Sequence, residues 1–167
     1  MKKIYSPWRD EYVNDTAHKT SNEKQSKECV FCKHFKENHD EKNGILKRTK
    51  NCVVMVNKYP YNGGHIMALP LEHKATLKNL TPEVRAELME LVNESVIIIE
   101  KTLKPHGLNI GINIGKASGG GIPTHLHVHI LPRWEGDTNF LPLLADTKQI
   151  SVNLNEIYKK LKNEFNK

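Results

Sequence analysis

Residues 125–132 read His-Leu-His-Val-His-Ile-Leu-Pro. In an extended strand successive side chains point to opposite faces. The alternation therefore puts His125, His127 and His129 on one face and Leu126, Val128 and Ile130 on the other. At the rise of a strand, neighbouring imidazoles stand about 6.6 Å apart. The aliphatic face can anchor a core while the histidine face lines a pocket. Just before this stretch comes Ala-Ser-Gly-Gly-Gly-Ile-Pro-Thr, residues 117–124. Gly119, Gly120 and Gly121 let the backbone turn its N–H groups toward an anion. A phosphate seat running into a row of imidazoles points to phosphorus chemistry.

The rest of the chain bounds that reading. A length of 167 residues predicts one domain, 1–167, with a single core. A net charge of +6 suits an anionic ligand such as a nucleotide, but no Lys/Arg run is dense enough to demand nucleic acid. With no apolar leader and no apolar run near 20 residues, the expectation is a cytoplasmic protein with no membrane partner. Cys29 and Cys32 are spaced Cys-x-x-Cys, which in such a chain reads as a metal knuckle or redox pair before a structural disulfide. Cys52 reads as a small strand hydrophobe.

In chain order, residues 1–50 form an N-terminal segment carrying the cysteine pair, with Tyr5, Trp8 and Tyr12 near its start and a short strand near 44–47. Residues 51–58 and 65–70 are strands joined by a Pro- and Asn-Gly-punctuated turn. Thr81-Pro82-Glu83 starts a helix whose apolar residues recur at three- and four-residue intervals to Leu103. Residues 108–115 alternate aliphatic with Asn or Gly, predicting a strand with one buried face and one open face. That strand should pair with the histidine strand and bring Asn113 near the imidazoles. Residues 150–167 hold an amphipathic C-terminal helix. Short strands with hairpin links and two helices predict an α+β fold on an antiparallel sheet.

The stretch His125–Leu131 resembles the His-φ-His-φ-His-φ-φ motif of the histidine triad family at every position, φ being apolar. Residues 57–73, with Asn57, Pro60, Gly64-His65 and Pro70-x-x-His73, resemble a second block of that family. Residues 132–140, Ser6-Pro7-Trp8-Arg9 and Cys29-x-x-Cys32 resemble a bacterial branch that includes diadenosine tetraphosphate phosphorylases. The resemblance implies a five-stranded antiparallel sheet with two helices, a homodimer, and attack on the α-phosphate of a nucleoside phosphoester or anhydride. It implies that His127 is the nucleophile, forming a nucleotidyl-histidine that water or phosphate discharges. His129 would contact the phosphate oxygens and help the leaving group depart. Asn57 matches the position that holds the ribose hydroxyls, and Asn113 a polar position near the leaving phosphate. Shorter branches carry a Gln and a Ser or Thr in the loop before the triad. Here Gly121 and Ile122 stand there, and backbone N–H groups, Ser118 or Lys116 would substitute.

The resemblance also implies a structural zinc on Cys29, Cys32, His73 and His125, clipping the N-terminal segment to the catalytic strand. His34, close after Cys32, is a rival fourth ligand. Two other functions compete: a nucleotide-binding regulatory module with little turnover, and a metalloenzyme with a hydrolytic metal on the three histidines.

Overall fold

A computed structural model describes residues 28–37, 39–139, 141, 148–150 and 152–167. The aromatic N-terminal stretch with Ser6-Pro7-Trp8-Arg9, and Phe140, lie outside these. Five strands form one antiparallel sheet: β1 (Ile45–Arg48), β2 (Cys52–Val56), β3 (Ile66–Pro70), β4 (Gly107–Ile112) and β5 (Val128–Arg133), in the order β1-β2-β3-β5-β4. The expected hairpin is β2 and β3, paired from Cys52↔Pro70 to Val56↔Ile66. At its turn Gly64 has φ +77°, and a Cβ there would land 2.5 Å from Leu103 Cδ1. The expected β4–β5 pairing also forms, with Gly111 opposite His129 and Ile112 opposite Val128.

The long helix, α2, spans Pro82–Leu103; Thr81 caps it by accepting from the Val84 N–H. Its chain leaves through Lys104, which takes the left-handed φ of 49° that a glycine more commonly supplies. The C-terminal helix, α3 (Leu154–Phe165), is capped by Asn153. Its Tyr158 hydroxyl donates to the Ile45 carbonyl and Lys162 Nζ to that of Leu46, fastening it along β1. Both helices cover one side of the sheet. Leu88, Leu91, Val92, Ile99, Leu161 and Phe165 pack there against Val54, Ile66, Ala68, Leu126, Val128 and Ile130. Cys52 belongs to this core as a small hydrophobe, its thiol pushed up to about 12 by burial.

Two expectations need correction. There are three helices among the described residues: a short one, α1 (Val30–Lys36), starts at Cys29 and lies on the opposite side of the sheet. Its seven residues lack a side-chain cap, so little local signal marks it. It forms because Phe31 and Phe35, one turn apart, pack with Ile45, Val53, Met55, Met67 and Leu69. The aliphatic face of β4 is also not fully buried. Leu108 and Ile112 reach the core, but Ile110 and Ile114 remain 51% and 48% exposed, because β4 is an edge strand and the helices do not extend over it.

Candidate active site and metal centre

The three triad histidines lie on the α1 side of the sheet, away from the helix-covered core. β5 begins its ladder only at Val128, so His125 and His127 precede the paired strand. The alternation nevertheless holds: Leu126 packs into the helix-side core while Phe31 on α1 touches both His125 and His127, with centroids 5.5 and 5.6 Å apart. His125 is 1% and His127 5% exposed, and α1 covers them. A hollow of about 330 Å³ by Trp134 and another of about 490 Å³ along α2 include none of the three. The open approach is from β4. Gly111 pairs with His129, and a Cβ at Gly111 would meet nothing within 4 Å. The ladder ends at Ile112↔Val128, one residue short of Asn113 and of His127.

Hydrogen bonds fix which ring nitrogen carries each proton. His127 Nδ1 is 2.9 Å from the carbonyl oxygen of His125. A carbonyl only accepts, so Nδ1 carries the proton and Nε2 holds the lone pair. Burial keeps the His127 pKa below the usual histidine value, only partly offset by this bond, so the ring is neutral near pH 7. His127 meets the His129 ring edge to face at 4.8 Å.

His65 extends the chain of assignments. The Tyr61 backbone N–H donates to His65 Nδ1 at 3.1 Å, so the proton of the neutral ring sits on Nε2. Nε2 then donates to His129 Nδ1 at 3.0 Å, which leaves the proton of a neutral His129 on its own Nε2. Burial and the neighbouring His129 and His127 push His65 down to about 3, so it stays neutral. In the sequence His65 stands out only through the Gly64-His65 step of the second block. Strand counting could have found its partner: His65, Met67 and His129 share a face in the β3–β5 register.

Asn57, at the end of β2, is 9% exposed. Its Oδ1 accepts from the Tyr59 N–H at 2.9 Å, and its Nδ2 stands 3.3 Å from His65 Nδ1 and 3.5 Å from Nε2, against the ring. Asn57 therefore braces His65 from the side. In the glycine loop, residues Lys116–Ser118 make a 3-10 turn between Gly115 and Gly119, both at φ +82°. Ser118 Oγ donates to the Gly115 carbonyl, shaping the turn. A Cβ on Gly120 would come 3.1 Å from Asn113 Cβ, so the loop lies close beside that residue. Lys116 and Gly121 are exposed at the surface of the same loop.

The Cys-x-x-Cys pair does meet His73 and His125. One donor atom from each of Cys29, Cys32, His73 and His125 lies within 4.8 Å of the others; His34 is not among them. His125 Nδ1 is 3.5 Å from Cys29 Sγ and 3.6 Å from Cys32 Sγ, and His73 Nδ1 is 3.3 Å from Cys32 Sγ. A tetrahedral zinc with S at about 2.3 Å and N at about 2.05 Å has S···N edges of about 3.6 Å. The tautomer fits as well. His125 Nε2 donates to the Pro70 carbonyl at 2.9 Å, which leaves the Nδ1 lone pair facing the sulfurs. Burial, with Cys29 beside it, raises the Cys32 pKa, a cost that a bound cation would reverse.

Comparisons with known proteins agree with this geometry. A HIT domain is matched over residues 38–136. The chain is 31% identical over 165 residues to an AP-4-A phosphorylase of Mycobacterium tuberculosis, covering 99% of this chain and 85% of that protein. It is 37% identical over 93 residues to a bis(5'-nucleosyl)-tetraphosphatase (asymmetrical) of Schizosaccharomyces pombe, covering 56% of this chain and 50% of that one. A solved histidine triad nucleotide-binding protein from Sulfolobus tokodaii superposes with a TM-score of 0.67 at 26% identity, covering 83% of this chain and 92% of that one. The chain therefore belongs to the HIT domain family, and with it to the nucleotide hydrolases and transferases.

Proposed function

We propose that the protein cleaves adenine dinucleotides such as diadenosine polyphosphates through a covalent nucleotidyl-histidine on His127. The observation that carries this reading is the His127 Nδ1–H bond to the His125 carbonyl, which aims an unprotonated Nε2 away from its own backbone. The Nε2 lone pair attacks the α-phosphorus and the bond to the leaving phosphate oxygen breaks. That oxygen takes the proton from His129 Nε2, placed there by the His65 relay. Water or inorganic phosphate then attacks the phosphorus, gives its proton to His129 Nε2 and breaks the P–N bond, which restores both rings. The loop of Lys116, Ser118, Gly119, Gly120 and Gly121 seats the phosphates with Asn113 beside it, and Asn57 serves the ribose.

Cys29, Cys32, His73 and His125 would hold zinc with no open position, so the metal supplies rigidity rather than chemistry. Two copies would join at the β4 edge, where β4 pairs with β5 alone among the described residues and Ile110 is exposed. Ile110→Lys should then shift the sedimentation coefficient from dimer to monomer. No described helix is long and apolar enough to cross a membrane.

The product assay on diadenosine tetraphosphate tests the activity. With water as acceptor the products are AMP and ATP; with phosphate as acceptor, ADP and ATP. Tight binding without product in either condition makes the protein a nucleotide-binding module instead.

A further inference from the structure

Phe31 is one of the two residues between the cysteines, and it is 6% exposed. Its ring stands edge-on to His125, 5.5 Å between centroids at 81°, and tilted against His127, 5.6 Å at 57°. It touches a metal-donor ring and the nucleophilic ring at once. His125 makes a second link between the same two places. Its imidazole faces Cys29 and Cys32, while its carbonyl holds the His127 Nδ1 proton. Phe35 closes the outer side of His125 at 5.8 Å. The helix bearing Phe31 starts at Cys29, whose carbonyl accepts the first helical N–H, from Lys33. At seven residues α1 is too short to be stable by itself, so what fixes Cys29 and Cys32 adds to the apolar wall in fixing Phe31.

We propose that Phe31 is a positioning residue that couples a metal on Cys29, Cys32, His73 and His125 to the orientation of the His127 ring. The metal then sets turnover without touching substrate. The inference rests on the zinc reading above and extends it to the reaction. With the four donors clamped, α1 cannot roll, and Phe31 closes one flank of the His127 ring. With the donors released, α1 loosens and His127 gains rotamers in which Nε2 no longer points at phosphorus. Misplacing a reacting atom by about 1 Å is enough to cost about 100-fold in rate.

The test is a cycle on the full-length protein: wild type and Phe31→Leu, each zinc-loaded and zinc-stripped by chelator, with Phe31→Met as a second variant that leaves less of a cavity. Four quantities are read: zinc content, kcat and KM on diadenosine tetraphosphate, and the exchange of the His127 Nδ1–H proton by imidazole 15N–1H correlation. In wild type, zinc removal should lower kcat about tenfold or more, leave KM within about twofold and speed that exchange. Phe31→Leu should do the same while still holding one zinc, and stripping it should then change kcat little further, since the two losses share one cause. Multiplying losses would overturn the coupling while leaving the zinc reading intact. A raised KM with unchanged kcat in Phe31→Leu would overturn it too, making Phe31 a substrate contact. A protein that takes up no zinc would remove the metal reading, and the coupling with it.

Discussion

Leu126, Val128 and Ile130 point to one side of the sheet, His127 and His129 to the other, and different physics holds each set. On the helix side the contacts are apolar and non-directional. Each aliphatic is almost fully buried and contributes about 2 kcal/mol by leaving water. On the α1 side a smaller apolar cluster holds the helix, but the contacts of the histidines themselves are directional. The His125 carbonyl, the Tyr61 N–H and the Pro70 carbonyl each fix one imidazole proton, and the His65 ring then dictates that of His129. Alternation in one strand thus separates the part that keeps the chain folded from the part that sets proton positions. Damage to one side should appear as lost stability, and damage to the other as lost rate.

The sharpest contrast is between His127→Ala and Ile130→Ala. Removing the His127 ring should lower turnover by about 10,000-fold or more in a product assay, far beyond what any loss of folded protein accounts for. Ile130→Ala should instead cost about 2–5 kcal/mol in urea unfolding while the folded fraction keeps its kcat. A next, smaller effect concerns the relay. His65→Asn removes the donor to His129 Nδ1, so His129 can carry its proton on either nitrogen. Steady-state kinetics should give kcat down about 10- to 100-fold with KM little changed. An unchanged kcat would mean that His129 does not deliver the proton.

The smallest effect is in pH. His65 titrates ordinarily at 6.5 and in the fold at about 3, because burial disfavours its charged form. The unfolded chain therefore binds the proton first. Stability on this account is fully present above about pH 6.5 and falls as pH drops toward 3, by about 1.4 kcal/mol per pH unit per such histidine. His127, shifted the same way, adds to the slope. Urea midpoints between pH 7 and 5 should fall more steeply for wild type than for His65→Asn. Equal slopes would place the proton uptake elsewhere.

Much of this division is legible in the sequence, because period-2 alternation over 125–130 survives even where the ladder has not begun. The capped helix from Thr81, the hairpin of β2 and β3, and the β4–β5 pairing follow from local rules of the same kind. What was not legible depends on contacts distant in sequence. Helix α1 exists because Phe31 and Phe35 find a wall made by β1, β2 and β3, and propensity carries no trace of that wall. The half-exposed Ile110 follows from strand order, since an aliphatic in an edge strand looks identical to one in a central strand until the sheet is assembled. The His65–His129 bond needs the register between strands 64 residues apart. Family resemblance names the metal donors; geometry adds the tautomer of His125, which no spacing rule contains.

The central claim is that the middle imidazole forms a bond to phosphorus. Rapid-quench trapping with diadenosine tetraphosphate labelled in its α-phosphates, followed by peptide mapping under alkaline conditions, tests it most directly. An acid-labile adenylyl group on the peptide bearing His127, formed at least as fast as kcat, is the expected result. Turnover with no such adduct, or with the label on another residue, would contradict it.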